Sequence, residues 1–458
     1  MLTPLDSKVS DINAENLGIS VKDLMGNAGK AVADFLNERF AGHKVLFVCG
    51  PGNNGGDGFA AALRLDPAKT SVALLCEPSK IHTSESRYYY SLLECTIARY
   101  SDDMLDSADV IVDCALGTGA RGSIREPYAS FIKAANASDK TAISVDVPSG
   151  LGCNLAVKPR YTITFMDVKE GMDQSNCGSI VICDIGIPYE AYHNVGPGDM
   201  LRYPIPGPDS HKGQNGRLMI IAGGPYYGAP SMSSCSALRT GADIVRLFSP
   251  ENIHHEIASC SPVLMITDLP GRILCRESVK LLLQESLNYD AVLIGPGLGT
   301  DNETMEAVRE FVSGCTRPLV VDADGLTAIR GMRLAGNAVL TPHHGEFERL
   351  GGGNPEDLAR IMNATVLLKG RIDMITDGAR SRINTTGTPA MTGAGTGDVL
   401  AGCVSALISK GMSCFDAACL GAYICGKAGE IGFKSKSYGL IATDIIDCIP
   451  SVLCEGLK

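Results

Sequence analysis

The chain has 458 residues, 45% of them hydrophobic and 20% charged, which is too long for one ordinary core and too apolar for a disordered protein, so two domains are expected. A formal net charge of -11 argues against nucleic acid or an anionic membrane as the main partner, yet leaves room for phosphate ligands held by backbone N–H groups. No run is long and apolar enough to span a bilayer, the first 20 residues lack a signal-peptide core, and the 17 cysteines, odd in number and without a C-x-x-C pair, fit buried thiols of a reducing cytoplasm.

Ser20-Val-Lys-Asp23 reads as a helix cap, and the helix should reach about Phe40. A short apolar strand (44–49) leads into a glycine loop (50–58) and a helix through Leu65. β-type runs follow at 71–76, 109–113, 141–146, 161–166 and 179–184, the early ones separated by helical stretches, as in a largely parallel sheet. Three prolines between Tyr203 and Lys212 mark a linker, because proline continues neither a helix nor a central strand. The alternation then restarts, with strands expected at 217–222, 243–248, 290–294, 318–322, 337–340 and 365–368. Everything after Gly397 reads as helix. The fold class is therefore α/β in two domains, a Rossmann-like layered unit followed by a second α/β unit.

Ligands of doubly wound sheets bind at the carboxyl ends of strands, and the glycine-bearing segments fall there. In the first unit Gly50, Gly52 and Gly55 match G-x-G-x-x-G, with Glu77 ending the next strand, a loose dinucleotide signature. Asn53, Asn54 and Asp57 crowd polar side chains onto a turn that a pyrophosphate site would keep bare. Asp113 precedes Gly117-Thr-Gly-Ala-Arg-Gly122, and Asp146 precedes Pro148-Ser-Gly150. Asn54, Asp113 and Ser149 offer hard oxygen ligands of low total charge for a monovalent cation, and Asp146 suits general acid/base work. Each could instead be an ordinary Asx turn or cap.

In the second unit the strongest motif is Met391-Thr-Gly-Ala-Gly-Thr-Gly-Asp398, followed by an apolar helical run. Glycines 393, 395 and 397 would leave amide groups aimed at one point beside a helix N-terminus, an anion hole for a transferring phosphoryl group, with Asp398 placed to take a proton from the attacking hydroxyl. N-capping is the bland alternative for Asp398, but it leaves the spaced glycines unexplained. His254-His255 reads as a surface pair, Tyr88-Tyr-Tyr90 as one helix face with exposed neighbours, and Lys169 as either a phosphate contact or a solvated lysine.

These residues carry a resemblance. Gly50-Pro-Gly-Asn-Asn-Gly-Gly-Asp-Gly58, Asp113-x-x-x-Gly-Thr-Gly119, Val145-Asp-Val-Pro-Ser-Gly150 and Asp184-Ile-Gly-Ile-Pro188 resemble the YjeF N-terminal family of NAD(P)H-hydrate epimerases. His211-Lys-Gly213, Gly228-Ala-Pro230, Gly295-Pro-Gly-Leu-Gly299, Thr341-Pro-His343-x-Gly-Glu346, Leu368-Lys-Gly370 and Gly395-Thr-Gly-Asp398 resemble ribokinase-like NAD(P)H-hydrate dehydratases. The resemblance implies domains at 1–203 and 204–458 and a metabolite-repair function: exchange of the two epimers of hydrated NADH or NADPH, and nucleotide-dependent dehydration, with ADP favoured over ATP. K⁺, Mg²⁺ and ADP or ATP are the implied cofactors, and a homo-oligomer is expected.

By the same resemblance, Asn53, Asn54, Gly55, Gly56, Asp57 and the loop Gly117, Thr118, Gly119, Ala120, Arg121, Gly122, Ser123 would hold the hydrated dinucleotide. Asp146 would face its damaged ring, and Asn54, Asp113 and Ser149 would coordinate K⁺. Ala229, Gly297, His343 and Asp398 would contact the dehydratase substrate, and Lys369, Gly370, Arg371, Ile372, Asp373 and Gly397 the adenine nucleotide. Gly26 and 152–154 depart from the acidic residues usual in the epimerase family, and His344 from a more common proline. A small-molecule kinase of the ribokinase superfamily, carrying a non-catalytic dinucleotide-binding module, is the alternative.

Overall fold

A computed structural model describes residues 1–457, which form two compact units, the first Met1–Tyr192 and the second beginning at His193. The division falls ahead of the expected linker, and the reason is packing. Val195, Met200 and Tyr203 are buried in the core of the second unit, Val195 N–H donates to the Ile383 carbonyl at 2.8 Å, and Arg382 Nη2 donates to Asp199 Oδ2 at 2.9 Å. The proline-rich run lies inside the second unit as a surface connection.

The first unit is built on seven strands, β1 (Val45–Cys49), β2 (Thr70–Leu74), β3 (Thr96–Arg99), β4 (Val110–Cys114), β5 (Thr141–Val145), β6 (Tyr161–Phe165) and β7 (Ser179–Cys183), in the order β3-β2-β1-β4-β5-β6-β7. All pairs are parallel. β1 and β4 are buried along their whole length, as strands covered on both faces must be. Helix Val21–Arg39, capped by the Ser20 side chain, covers one face and buries Val32, Phe35 and Leu36; Phe131 and Ile132 cover the other.

Two features of this unit were not expected. A first helix, Pro4–Asn16, is closed by a capping box in which Thr3 and Asp6 exchange hydrogen bonds. The glycine stretch after β1 is also not a loop throughout: helix Asn53–Ala62 begins within it.

The second unit holds β8 (Arg217–Ile221), β9 (Ile244–Pro250), β10 (Met265–Leu269), β11 (Ala291–Ile294), β12 (Leu319–Val321), β13 (Ala338–Leu340), β14 (Thr365–Leu368), β15 (Asp373–Thr376) and β16 (Ser381–Asn384) in order β10-β9-β8-β11-β12-β13-β14-β15-β16. The sheet is parallel up to β14 and ends in an antiparallel hairpin. Helices Thr396–Ser409, Cys414–Lys436 and Ala442–Gly456 bury their apolar residues in the core on one face. No helix among the described residues is long and apolar enough to cross a membrane.

Candidate functional site

In each sheet the chain reverses its winding beside the first strand, between β1 and β4 and between β8 and β11. The loops leaving such neighbouring strands diverge and open a crevice.

At the first crevice, Gly50 lies so close to the segment after β4 that an added Cβ would stand 1.9 Å from the Ala115 carbonyl oxygen. That approach brings Asn54 under the second loop, where its Nδ2 donates to the Leu116 carbonyl at 3.0 Å. Asp113 is fully buried and accepts four hydrogen bonds, from Ser149 Oγ at 2.5 Å, Ala115 N–H at 3.2 Å, Ser144 Oγ at 2.8 Å and Ser149 N–H at 2.9 Å. Burial raises its pKa, and these donors oppose the rise. Asn54 Oδ1 is buried without a hydrogen-bond partner among the described residues.

Asp146 follows β5 with a left-handed φ of 65°, and Met166 follows β6 with a φ of 66°. Such conformations are costly for side-chain-bearing residues, and two at adjacent strand ends mark a built site. The Asp146 carboxylate meets Lys169 Nζ at 2.6 Å. Lys169 is not solvated. It is 4% exposed, and its ammonium also donates to Thr164 Oγ1 at 2.9 Å and the Phe165 carbonyl at 2.6 Å.

Asn53, Asn54, Asp57, Gly117, Thr118, Asp146 and Lys169 line one cleft of about 210 Å³, joined by Asp11 from the first helix. An adjoining hollow of about 320 Å³ takes in Ala120, Arg121 and Gly152. Gly55 and Gly56 are buried instead, where a Cβ would strike the Gly50 carbonyl and Ser86 Oγ, and Gly119, Gly122 and Ser123 are exposed. Burial, then Asp146 and Asp11, push the Asp57 carboxyl well above its ordinary range. Glu77 pairs with Arg99 at 2.7 Å on the exposed surface.

At the second crevice, Gly297 and Ala229 come together from the two diverging loops; a Cβ on Gly297 would stand 3.2 Å from the Ala229 methyl group. His343 caps helix His344–Leu350, its Nδ1 accepting from Gly345 N–H at 3.0 Å and Glu346 N–H at 3.3 Å. Helix Thr396–Ser409 starts directly after Gly395, whose φ is 90°, and its first internal bond runs from Val399 N–H to the Gly395 carbonyl. The amides of Thr396, Gly397 and Asp398 thus have no acceptor among the described residues. Asp398 sits in this first turn and is not the cap.

Its carboxyl is raised to about 7, first by burial, then by Asp322, against the opposing pull of Lys369 and with further repulsion from Asp324 and Glu346. Lys369 Nζ donates to Asp322 Oδ1 at 2.9 Å and lies 3.3 Å from where a Gly397 Cβ would be. A cavity of about 660 Å³ opens beside it, lined by Lys369, Gly370, Arg371, Ile372, Asp373 and Gly397 together with Asn384, Thr386, Leu400 and Cys425. Asn384 Nδ2 donates to Asp373 Oδ2 at 2.9 Å and fixes that side chain.

Residues 218–451 match the NAD(P)H-hydrate dehydratase family, and residues 21–171 match the YjeF-related N-terminal family. A bifunctional NAD(P)H-hydrate repair enzyme of Methanothermobacter thermautotrophicus is 39% identical over 100% of this chain and 96% of its own length. The chain belongs to the bifunctional NAD(P)H-hydrate repair family. A second member, from Archaeoglobus fulgidus, is 37% identical over 98% of this chain and 97% of its own. Two solved structures share the fold of the dehydratase half. A ribokinase-like protein of Enterococcus faecalis has a TM-score of 0.52 and 23% identity, covering 58% of this chain and 96% of its own. An ADP/ATP-dependent NAD(P)H-hydrate dehydratase of Bacillus subtilis, co-crystallised with ATP and Mg²⁺, has a TM-score of 0.50 and 22% identity, covering 57% and 98%.

Two positions read from the sequence as departures from the epimerase pattern have packing roles. A side chain on Gly26 would meet the Tyr89 hydroxyl at 2.5 Å, and that hydroxyl donates to the Lys22 carbonyl, so the position faces packing rather than the cleft. Asn154 Oδ1 accepts from Ile124 N–H at 2.9 Å and ties down the end of the 117–123 loop. Asp11 and Asn384 were not singled out in the sequence, and Asp322 and Asp324 stood out only as part of a glycine-bearing loop at a strand end, without a role of their own. The Thr3-x-x-Asp6 capping box was the available signal for the helix that carries Asp11.

Proposed function

We propose that the chain restores hydrated NADH and NADPH in the cytoplasm, as a homo-oligomer, with epimer exchange in the first unit and nucleotide-dependent dehydration in the second. The observation that carries the reading is the placement of Asp398, a half-buried carboxyl whose pKa burial raises to about 7, in a helix turn whose first amides have no acceptor among the described residues, beside a cavity large enough for a nucleotide.

The chemistry follows from that placement. Asp398 takes the proton of the ring hydroxyl, and the resulting alkoxide attacks the terminal phosphoryl group of the nucleotide. The free amides of Thr396, Gly397 and Asp398, with the Lys369 ammonium beside them, receive the charge that develops. The ring nitrogen then expels phosphate, a better leaving group than water, and loss of a proton from the neighbouring carbon restores the double bond. Ala229, Gly297 and His343 are assigned to the hydrated ring's side of the site, and residues 369–373 to the nucleotide, with ADP favoured as donor and Mg²⁺ arriving on its phosphates.

In the first unit Asp146 serves the ring. Asn54 Oδ1, Asp113 and Ser149 suit K⁺, since the orphaned buried amide oxygen of Asn54 lacks any donor of its own. When bound, K⁺ would supply positive charge for the dinucleotide's phosphates. The test uses the S hydrate with ADP or ATP. Wild-type protein should release one inorganic phosphate per NADH restored, and Asp398→Asn should lose at least about 100-fold in rate. A phosphorylated product that accumulates without restoring NADH would overturn the dehydratase assignment.

A further inference from the structure

Three carboxyl groups, Asp11, Asp57 and Asp146, line the epimerase cleft, and one buried cation, Lys169, serves them. All three protons of that ammonium are committed, to Asp146, Thr164 and the Phe165 carbonyl. The carboxyl groups of Asp11 and Asp57 make no hydrogen bond or ion pair among the described residues, and the other cation at the cleft, Lys8, is exposed. Carboxylates that share a cleft without donors or counter-charge of their own keep a proton.

The position of Asp11 is built. Its helix is clamped at the start, where Leu2 N–H donates to the Val168 carbonyl and Glu170 N–H to the Leu2 carbonyl, both at 2.9 Å. It is clamped again near its end, where buried Asn13 Nδ2 donates to the Ala191 carbonyl at 2.9 Å. Val9, Ser10, Asn13 and Ala14 form the buried face, and Asp11 is turned from that face into the cleft. The same clamp pins the backbone of Lys169, which pairs with Leu2 as a bridge, so the acid and the ion pair are held in one frame.

We propose that Asp11 is the proton donor of epimer exchange, working opposite Asp146 on the hydrated ring. The inference rests on the cleft being the epimerase site. The Asp146 carboxylate takes the proton of the ring hydroxyl. As the carbonyl forms, the electron pair of the adjacent carbon–nitrogen bond passes to the ring nitrogen, which takes the proton of the Asp11 carboxyl. The opened aldehyde rotates about its carbon–carbon bond and presents its other face. The nitrogen then re-adds, returning its proton to Asp11, while the new hydroxyl takes the proton held by Asp146. Every atom and charge is restored, and no oxidant or reductant is consumed.

Burial and the neighbouring Asp146 hold the Asp11 carboxyl at about 6. The acid form is the working form, so kcat for exchange should fall as pH rises past this group. The experiment follows exchange of one purified epimer by chromatography, with full-length wild type, Asp11→Asn, Asp11→Glu and Asp146→Asn, and dehydratase activity on the same chains as the folding control. Asp11→Asn should lower kcat by about 100-fold or more at unchanged KM and abolish the falling alkaline limb, and Asp11→Glu should recover part of the rate. Wild-type kcat in Asp11→Asn, a change confined to KM, or a persisting alkaline limb would overturn the proposal while leaving the site standing. Full exchange in Asp146→Asn would instead sink the assignment of the cleft. Should Asp11→Asn not fold, the wild-type pH profile decides, and a rate that does not fall with rising pH refutes the donor.

Discussion

At the scale of single residues, the account turns on carboxyl groups held away from their ordinary ionisation. Asp398 stands at about 7 because burial and Asp322 disfavour its charge more than Lys369 favours it. A base must be ionised to act, so dehydration should rise with pH through about 7. The neighbouring carboxylates set where that limb falls. Asp324 is one of them, and it also accepts a hydrogen bond from Gly299 N–H at 2.8 Å, which an asparagine oxygen could still accept. Asp324→Asn should therefore move the limb to lower pH with little loss of maximal rate, measured as the pH profile of kcat for the S hydrate. A limb that stays in place would mean that the titrating group is not Asp398. Lys369, Gly370, Arg371, Ile372 and Asp373 were assigned to the nucleotide by resemblance alone, and they line one cavity. The role of Lys169 is not legible in the sequence, because its partners Asp146, Thr164 and Phe165 belong to two different strand ends that only the sheet brings together.

At the scale of elements, what was legible was what is locally apolar. β1, β4, β5, β8 and β11 are buried on both faces and announce themselves as short hydrophobic runs. Four strands were missed, and one of them, edge strand β10, has only Leu269 buried. β3 is an edge strand with three of its four residues exposed, and β15 and β16 are partly solvated hairpin strands. Helix Asn53–Ala62 was partly misread as loop, since five of its first six residues are Asn or Gly, and such residues favour helix weakly. Tertiary packing overrides that propensity: Cβ atoms at Gly55 and Gly58 would strike the Gly50 carbonyl and the Cys114 sulfur. The same logic governs its contact with helix Val21–Arg39, where a Cβ on Gly29 would lie 2.5 Å from the Ala60 carbonyl carbon. Gly29→Ala should cost roughly 1–3 kcal/mol of the first unit's stability, read as a lowered unfolding midpoint. An unchanged midpoint would show that the two helices can part without penalty.

At the scale of the whole molecule, two sheets of the same winding logic each carry a candidate site at their own reversal point, and the proposed function gives the two sites different chemistries. Hydration of the ring yields two epimers and a chiral dehydratase pocket accepts one, so a partner activity on the same chain completes the repair. The division into units was legible as a restart of the strand alternation. The boundary was not, because prolines mark where a strand cannot run, whereas Val195, Met200 and Tyr203 decide where the chain packs.

The most direct test of the two-site account follows near-UV recovery of reduced ring from mixed epimers of hydrated NADH, with ADP and ATP supplied in parallel. Wild-type protein should recover the whole mixture, Asp146→Asn only the epimer that the dehydratase accepts, and Asp398→Asn none. An equimolar mixture of the two variants should again recover everything, because the intermediate epimer is free to diffuse between chains. Complete recovery by Asp146→Asn at the wild-type rate, or none by the wild type with either nucleotide, would contradict it.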